Sequence, residues 1–214
     1  MNLAKVKGKP GEFINTETGE VIKFEDGYYG SFYSTKQLAS GLQGSTEVTF
    51  FGDTAGAGGY TKAATNMSRP FQLPNGYEMV VERLLFEVPL AMGNTVIVGD
   101  DIKKILYGGY VKWLLNEDFL IGDGRPVQFP GGYGIAGMTN ESGACVMSNG
   151  QPSLVATYQL EEPQFIGDGN NFKSILTFPG FATWPASAVT NVTLSQACFV
   201  VCHYWGLIRK AATP

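Results

Sequence analysis

Three sets of residues have the types that do chemistry. The first surrounds His203, the one histidine, in Cys202-His203-Tyr204-Trp205, with Cys198 four positions earlier and Cys145 far upstream. A metal-binding β-barrel enzyme draws several histidines into its interior, and a zinc site wants closely spaced cysteine pairs such as Cys-X-X-Cys. Neither pattern is present. On a strand Cys198 and Cys202 share a face about 13 Å apart, too far for a disulfide. No Gly-X-Ser-X-Gly elbow presents a serine to His203. This set therefore reads as core: small apolar thiols and a histidine packed in or beside the interior.

The second set is the carboxylates. Sandwich-shaped glycosidases place two acids in a concave sheet. Glu78 and Glu82 share a strand face, Glu117-Asp118 follows one apolar run and Glu161-Glu162 ends another. None forms the tight same-face run of a catalytic strand. Trp113, Trp184 and Trp205 have the ring area of sugar platforms, but their spacing suits core or interface. The expectation is a protein that is not an enzyme and uses no cofactor and no small-molecule substrate.

The third set is a basic and aromatic N-terminal stretch. Lys5, Lys7 and Lys9 stand with no acid among them, and Tyr28, Tyr29, Phe32 and Tyr33 follow. The lysines read either as a solvated terminus or as a contact for nucleic acid or anionic lipid. Aromatics this dense must pack on their own body or on a neighbour. These seven residues are the candidate assembly and arm contacts.

The elements that position these residues are short strands joined by turns. Phe71–Ala91 opens on the turn Leu73-Pro74-Asn75-Gly76 and continues as a long strand from Tyr77. Its apolar alternation changes phase near Arg83, which predicts a bulge at Glu82 to Leu84 or burial of both faces. Further strands are expected at 47–51, 95–98, 110–115, 119–121 with 126–129, 133–136, 154–160, 172–178 and 192–208, with turns at Gly122-Asp123-Gly124 and Gly167-Asp168-Gly169. Before Phe71, hairpins turn at Thr18-Gly19 and Asp26-Gly27, and a short helix capped by Ser34 ends at Gly41. The Gly-rich stretch 52–70 reads as a surface loop rather than a phosphate loop, because no Lys-Ser/Thr ending follows its glycines. A helical excursion is expected at 101–107.

Composition agrees with this reading. The 214 residues include 28 Gly and 11 Pro, with only 16% charged residues, a mix that suits an all-β domain. The net charge of −4 argues against a general nucleic-acid surface. Three cysteines and no apolar run of signal type fit a chain folded in a reducing cytoplasm, which makes the Asn66, Asn140 and Asn191 sequons chance. The long terminal strands at Tyr77 and Val192 pair as antiparallel neighbours in an eight-stranded antiparallel jelly-roll sandwich. On this reading residues 1–70 are an extended N-terminal arm and 71–214 a single jelly-roll domain.

Three stretches carry a family resemblance: Thr65-Asn66-Met67 with Gln72-Leu73-Pro74-Asn75-Gly76-Tyr77; Arg125-Pro126-Val127-Gln128-Phe129-Pro130-Gly131-Gly132-Tyr133-Gly134; and Asn171-Phe172 before Pro179 with the closing Gly206-Leu207-Ile208-Arg209. The chain resembles the jelly-roll capsid proteins of icosahedral, tailless-type bacteriophages. The resemblance implies a virion structural subunit, made in the host bacterial cytoplasm, that forms homo-oligomers and contacts other virion proteins through arms. Many such phages fuse two rolls in their major capsid protein, and this chain has room for one. The alternative is a carbohydrate- or receptor-binding jelly-roll module.

Overall fold

The computed structural model describes residues 3–24, 26–41, 47–89, 99–116, 119–131, 136–138, 146–148, 155–178, 194 and 196–210. Its strands are β1 (Leu3–Lys5), β2 (Glu12–Asn15), β3 (Val21–Lys23), β4 (Tyr28–Leu38), β5 (Glu47–Thr49) and β6 (Tyr77–Glu87), then, after helix α1 (Gly99–Gly108), β7 (Tyr110–Leu115) and β8 (Phe119–Gly124). They continue as β9 (Ala136–Met138), β10 (Val146–Ser148), β11 (Tyr158–Ile166), β12 (Phe172–Thr177) and β13 (Cys198–Lys210). Every pairing between these strands is antiparallel, and the protein is all-β, with one α-helix and a 3-10 turn at Pro126–Gln128 among the described residues.

Two four-stranded sheets, ordered β11-β6-β13-β4 and β5-β12-β7-β8, face one another across a shared core. Trp113 and Phe172 from one sheet meet Tyr204 from the other edge-to-face, with centroids 5.3 and 5.0 Å apart, a favoured aromatic geometry. The Tyr204 hydroxyl reaches across the core and shares its hydrogen between Lys173 O at 2.8 Å and Leu114 O at 3.2 Å. Those two residues are register partners in β12 and β7, so a single side chain of one sheet clasps the other sheet at a pairing point.

The phase change in the long strand is a bulge. Along β6, Trp205 pairs with Arg83 and the next β13 residue, Gly206, pairs with Val81, leaving Glu82 as the extra residue. Both faces of the strand are also buried: Met79, Val81, Leu84 and Phe86 enter the sandwich core, while Val80 joins a second cluster outside it. A Cβ on Gly206 would lie 1.9 Å from Val80 O, so the bulge needs glycine opposite it. The turn before β6 forms as expected, with Tyr77 N donating to Pro74 O and Gly76 at φ +71°.

Other expectations give way. Ser34–Leu42 was expected as a capped helix, yet Tyr28–Leu38 is an eleven-residue strand paired to β13 along its length. The Ser34 side chain accepts a hydrogen bond from Phe51 N at 3.0 Å instead of capping a helix. No hairpin forms at Asp26-Gly27, because β3 pairs with β2 and β4 leaves to pair with β13. Residues 122–124, expected as a turn, are the end of β8, with Gly122 opposite Trp113 and Gly124 opposite Val111. The division into an arm of 1–70 and a roll of 71–214 does not follow the packing. β4 and β5 belong to the two large sheets, and Phe32, Phe50, Phe51 and Met67 lie in the shared core. Of the aromatic stretch, Phe32 is buried in the chain's own core, while Tyr28 and Tyr29 stay more than half exposed. The part that stands apart is the small sheet β1-β2-β3, whose expected hairpin at Thr18-Gly19 forms.

The Gly-rich stretch closes on itself through Gly56 N to Tyr60 O and is anchored by buried Phe51 and Met67. The expected helix is observed over Gly99–Gly108 and the 167–169 turn by Asn170 N donating to Gly167 O. The expected strand 95–98 and most of 133–136 lie outside the described residues, as do Glu117-Asp118, Cys145, Trp184 and the Asn140 and Asn191 sequons.

Candidate functional site

The candidate residues gather on the outer face of the sheet β11-β6-β13-β4, in two zones. The lower zone carries Val80 and Leu207, which meet Leu3, Phe13 and Phe24 of the small sheet in a second core, with Phe165 and Ile22 packed against it. Phe24 takes Phe13 and Phe165 edge-to-face, at 6.0 and 6.4 Å. Two charged contacts flank this core. Lys5 Nζ lies 2.8 Å from Glu82 Oε2, and the Glu82 side chain is only 4% exposed. Arg209 holds Glu78 through Nε at 2.7 Å, donates to Lys23 O, and sets its guanidinium 4.4 Å over the Phe24 ring.

Glu78 and Glu82 thus do lie toward one side, and each is matched by a cation. The Lys5–Glu82 pair fastens the N-terminal segment to the sheet, and the Arg209–Glu78 pair joins β13 to β6. Glu161 and Glu162 are exposed within β11, inside its irregular pairing with β6, and do not end the strand.

The upper zone is aromatic. Tyr29 stacks on Trp205 with centroids 5.1 Å apart and planes 17° from parallel, and the Arg83 guanidinium lies 4.8 Å over the Trp205 ring. Arg83 also donates to Thr157 Oγ1 at 2.9 Å. Beside this stack, the Tyr33 ring lies 5.7 Å from His203, and His203 Nε2 sits 3.6 Å from Glu87 Oε2.

The seven candidates therefore divide. Lys5 is committed to Glu82 and Lys9 lies 3.3 Å from Glu12, while Lys7 is exposed at a turn. Tyr28 and Tyr29 are more than half exposed, at 56% and 55%. Tyr33 is partly buried, its hydroxyl donating to Lys62 O. Phe32 is interior, in the sandwich core, and is no surface contact.

Sequence reasoning missed the guard on the edge of β4. Thr35 N donates to Ala64 O at 2.9 Å and Thr65 Oγ1 to Tyr33 O at 3.0 Å. The Asn66 amide accepts from Tyr33 N at 2.9 Å and donates to Ser31 O at 2.7 Å. Residues 64–66 thereby occupy backbone groups that an edge strand otherwise offers to another chain. The signal was faint: two short polar residues, in a stretch of low hydropathy, immediately before a buried methionine.

The thiols are interior groups. Cys198 and Cys202 are free and buried, burial pushes Cys198 up to about 11, and burial raises Cys202 well above its ordinary range. Thiolate chemistry is suppressed by such surroundings. Among the described residues no group of three or more His, Cys, Asp or Glu could hold a metal ion, and no helix is long and apolar enough to cross a membrane. Trp113 is wholly buried, so it offers no sugar platform. Compared with known proteins, the chain matches no family model, no curated protein and no solved structure.

Proposed function

We propose that this chain is a jelly-roll structural subunit of a bacteriophage virion, a capsid protein that self-assembles through its edges and N-terminal segment. The observation that carries the reading is the winding of the chain. In sequence order β4, β5, β6, β7, β8, β11, β12 and β13 fall into sheets β4-β13-β6-β11 and β5-β12-β7-β8. Labelled one to eight, these become the orders 1-8-3-6 and 2-7-4-5, which supports reading them as the two interleaved Greek keys of an eight-stranded jelly roll. On this reading the roll begins at Tyr28 and the extension shrinks to the small N-terminal sheet.

Two further observations support a structural role. The charged groups on the sheet face hold segments together, and the edge strand β8 leaves Phe119 and Leu120 nearly half exposed, at 47% and 45%. Apolar surface of that kind suits coverage by a symmetry mate. The expected partners are further copies and other virion proteins. With Lys5 and Lys9 in ion pairs, a role for the basic terminus on nucleic acid or lipid falls chiefly to Lys7.

The test is light scattering with negative-stain microscopy on the purified full chain. Closed shells or discrete rings are the expected result. A strict monomer across the concentration range, together with glycan binding, would overturn the reading. A carbohydrate- or receptor-binding module is the second reading, favoured by the Tyr29–Trp205–Arg83 stack on the sheet face. Tyr29→Ala abolishing glycan binding by a monomer is the result that reading requires.

A further inference from the structure

We infer that residues 3–24 form a latch that opens as a unit while the sandwich stays folded, uncovering an acidic and apolar strip on the sheet face. The inference rests on how the small sheet is attached and is independent of the virion reading. Among the described residues, the backbone hydrogen bonds of this segment close within residues 3–27: β1 to β2, β2 to β3, Phe24 N to Gly11 O and Gly27 N to Phe24 O. Among the described residues no strand ladder crosses to the sandwich. Among these residues the attachment runs through side chains: the second core, Lys5 with Glu82, and the Arg209 guanidinium, which donates to Lys23 O and lies over the Phe24 ring.

The two cores are separate clusters, so parting the latch costs contacts of the second core and leaves the interior between the large sheets intact. Units attached in this way open with free energies of their own, below that of global unfolding. Glu82 lowers the cost further. Its residue is 3% exposed, Oε2 meets Lys5, and Oε1 accepts no hydrogen bond among the described residues. A buried carboxylate with half its acceptor capacity unused regains hydration when its cover leaves. Lys5, half exposed already, gives up little.

Opening bares Val80 and Glu82 on β6, Leu207 on β13 and Phe165 on β11, beside the Glu78–Arg209 pair, which stays on the sandwich. That strip matches a strand alternating apolar residues with lysine, which is what Leu3-Ala4-Lys5 presents. The latch is therefore a self-covering contact: closed, it hides an adhesive strip; open, it exposes one without loss of the fold.

Native-state hydrogen exchange by mass spectrometry on the full chain tests this, using wild type, Lys5→Ala and Leu3→Ala. The expected result is that amides of residues 3–23 exchange at least roughly tenfold faster than those of 83–86 and 200–204. Both variants speed exchange in 3–23, Leu3→Ala by more than tenfold, and leave the sandwich amides unchanged. Leu3 lies outside the sandwich core, so a folded sandwich is retained in either variant. A single common exchange rate for the two regions overturns the inference. So does equal acceleration of both regions, or no change in either.

Discussion

Gly206 carries a residue-scale consequence that packing alone makes sharp. A methyl group there would meet Val80 O at 1.9 Å, a backbone atom that cannot swing aside. Gly206→Ala is expected to cost at least about 3 kcal/mol, in the upper range of single substitutions, measured as a drop in urea midpoint. An unchanged midpoint would mean that the bulge at Glu82 reshapes freely. Tyr204→Phe removes the hydroxyl between Lys173 O and Leu114 O while keeping the ring, and should cost about 1–3 kcal/mol because two buried carbonyls lose a partner. The buried thiol Cys198 sets a pH dependence. Its folded value, about 11, lies above the ordinary 9.0, so its neutral form stabilises the fold fully below pH 9. That contribution, about 2–3 kcal/mol, is lost as pH rises from 9 through 11. Chemical denaturation at pH 8 and pH 11 should show Cys198→Ala losing less stability over that interval than wild type. Equal losses would remove Cys198 as a source of the slope.

At the scale of elements, what the sequence disclosed follows how local the determining contacts are. The bulge in β6 was legible because Met79 through Phe86 carry their own alternation and its slip. The turn before β6 was legible because Pro74, Asn75 and Gly76 each restrict φ by their own chemistry. β4 was misread for the opposite reason. Its partner, β13, lies at the far end of the chain, and Ser34 followed by Lys36, Gln37 and Leu38 imitates a capped helix when that partner is out of view. The candidate site had the same weakness: Lys5 and Glu82 stand 77 positions apart, and no spacing rule joins them. The guard over β4 gives this scale its prediction. Asn66→Ala removes both the acceptor for Tyr33 N and the donor to Ser31 O. The Tyr33 amide should then exchange faster, and the protein should self-associate more readily at the freed edge. Unaltered exchange at Tyr33 would mean that the Thr35–Ala64 and Thr65–Tyr33 bonds suffice to close it.

For the whole molecule, the question is how a sandwich with an apolar outer face remains folded alone. Val80 and Leu207 are as buried as interior residues, at 0% and 4%, yet they belong to a face turned away from the main core. Their cover is the N-terminal sheet, so that sheet substitutes for a neighbouring subunit on this side. Deleting residues 1–24 should leave the eight strands cooperative, because each large sheet keeps every one of its pairings. It should lower stability by a few kcal/mol, the worth of uncovering two aliphatic residues and part of Phe165. The bared face should then bind a hydrophobic dye and draw copies together in sedimentation, with Glu82, freed of Lys5, making that association stronger as salt screens its repulsion. A truncated chain that stays monomeric and dye-free at all salt concentrations would show that the sheet face needs no cover, and that the N-terminal sheet contributes nothing to keeping copies apart.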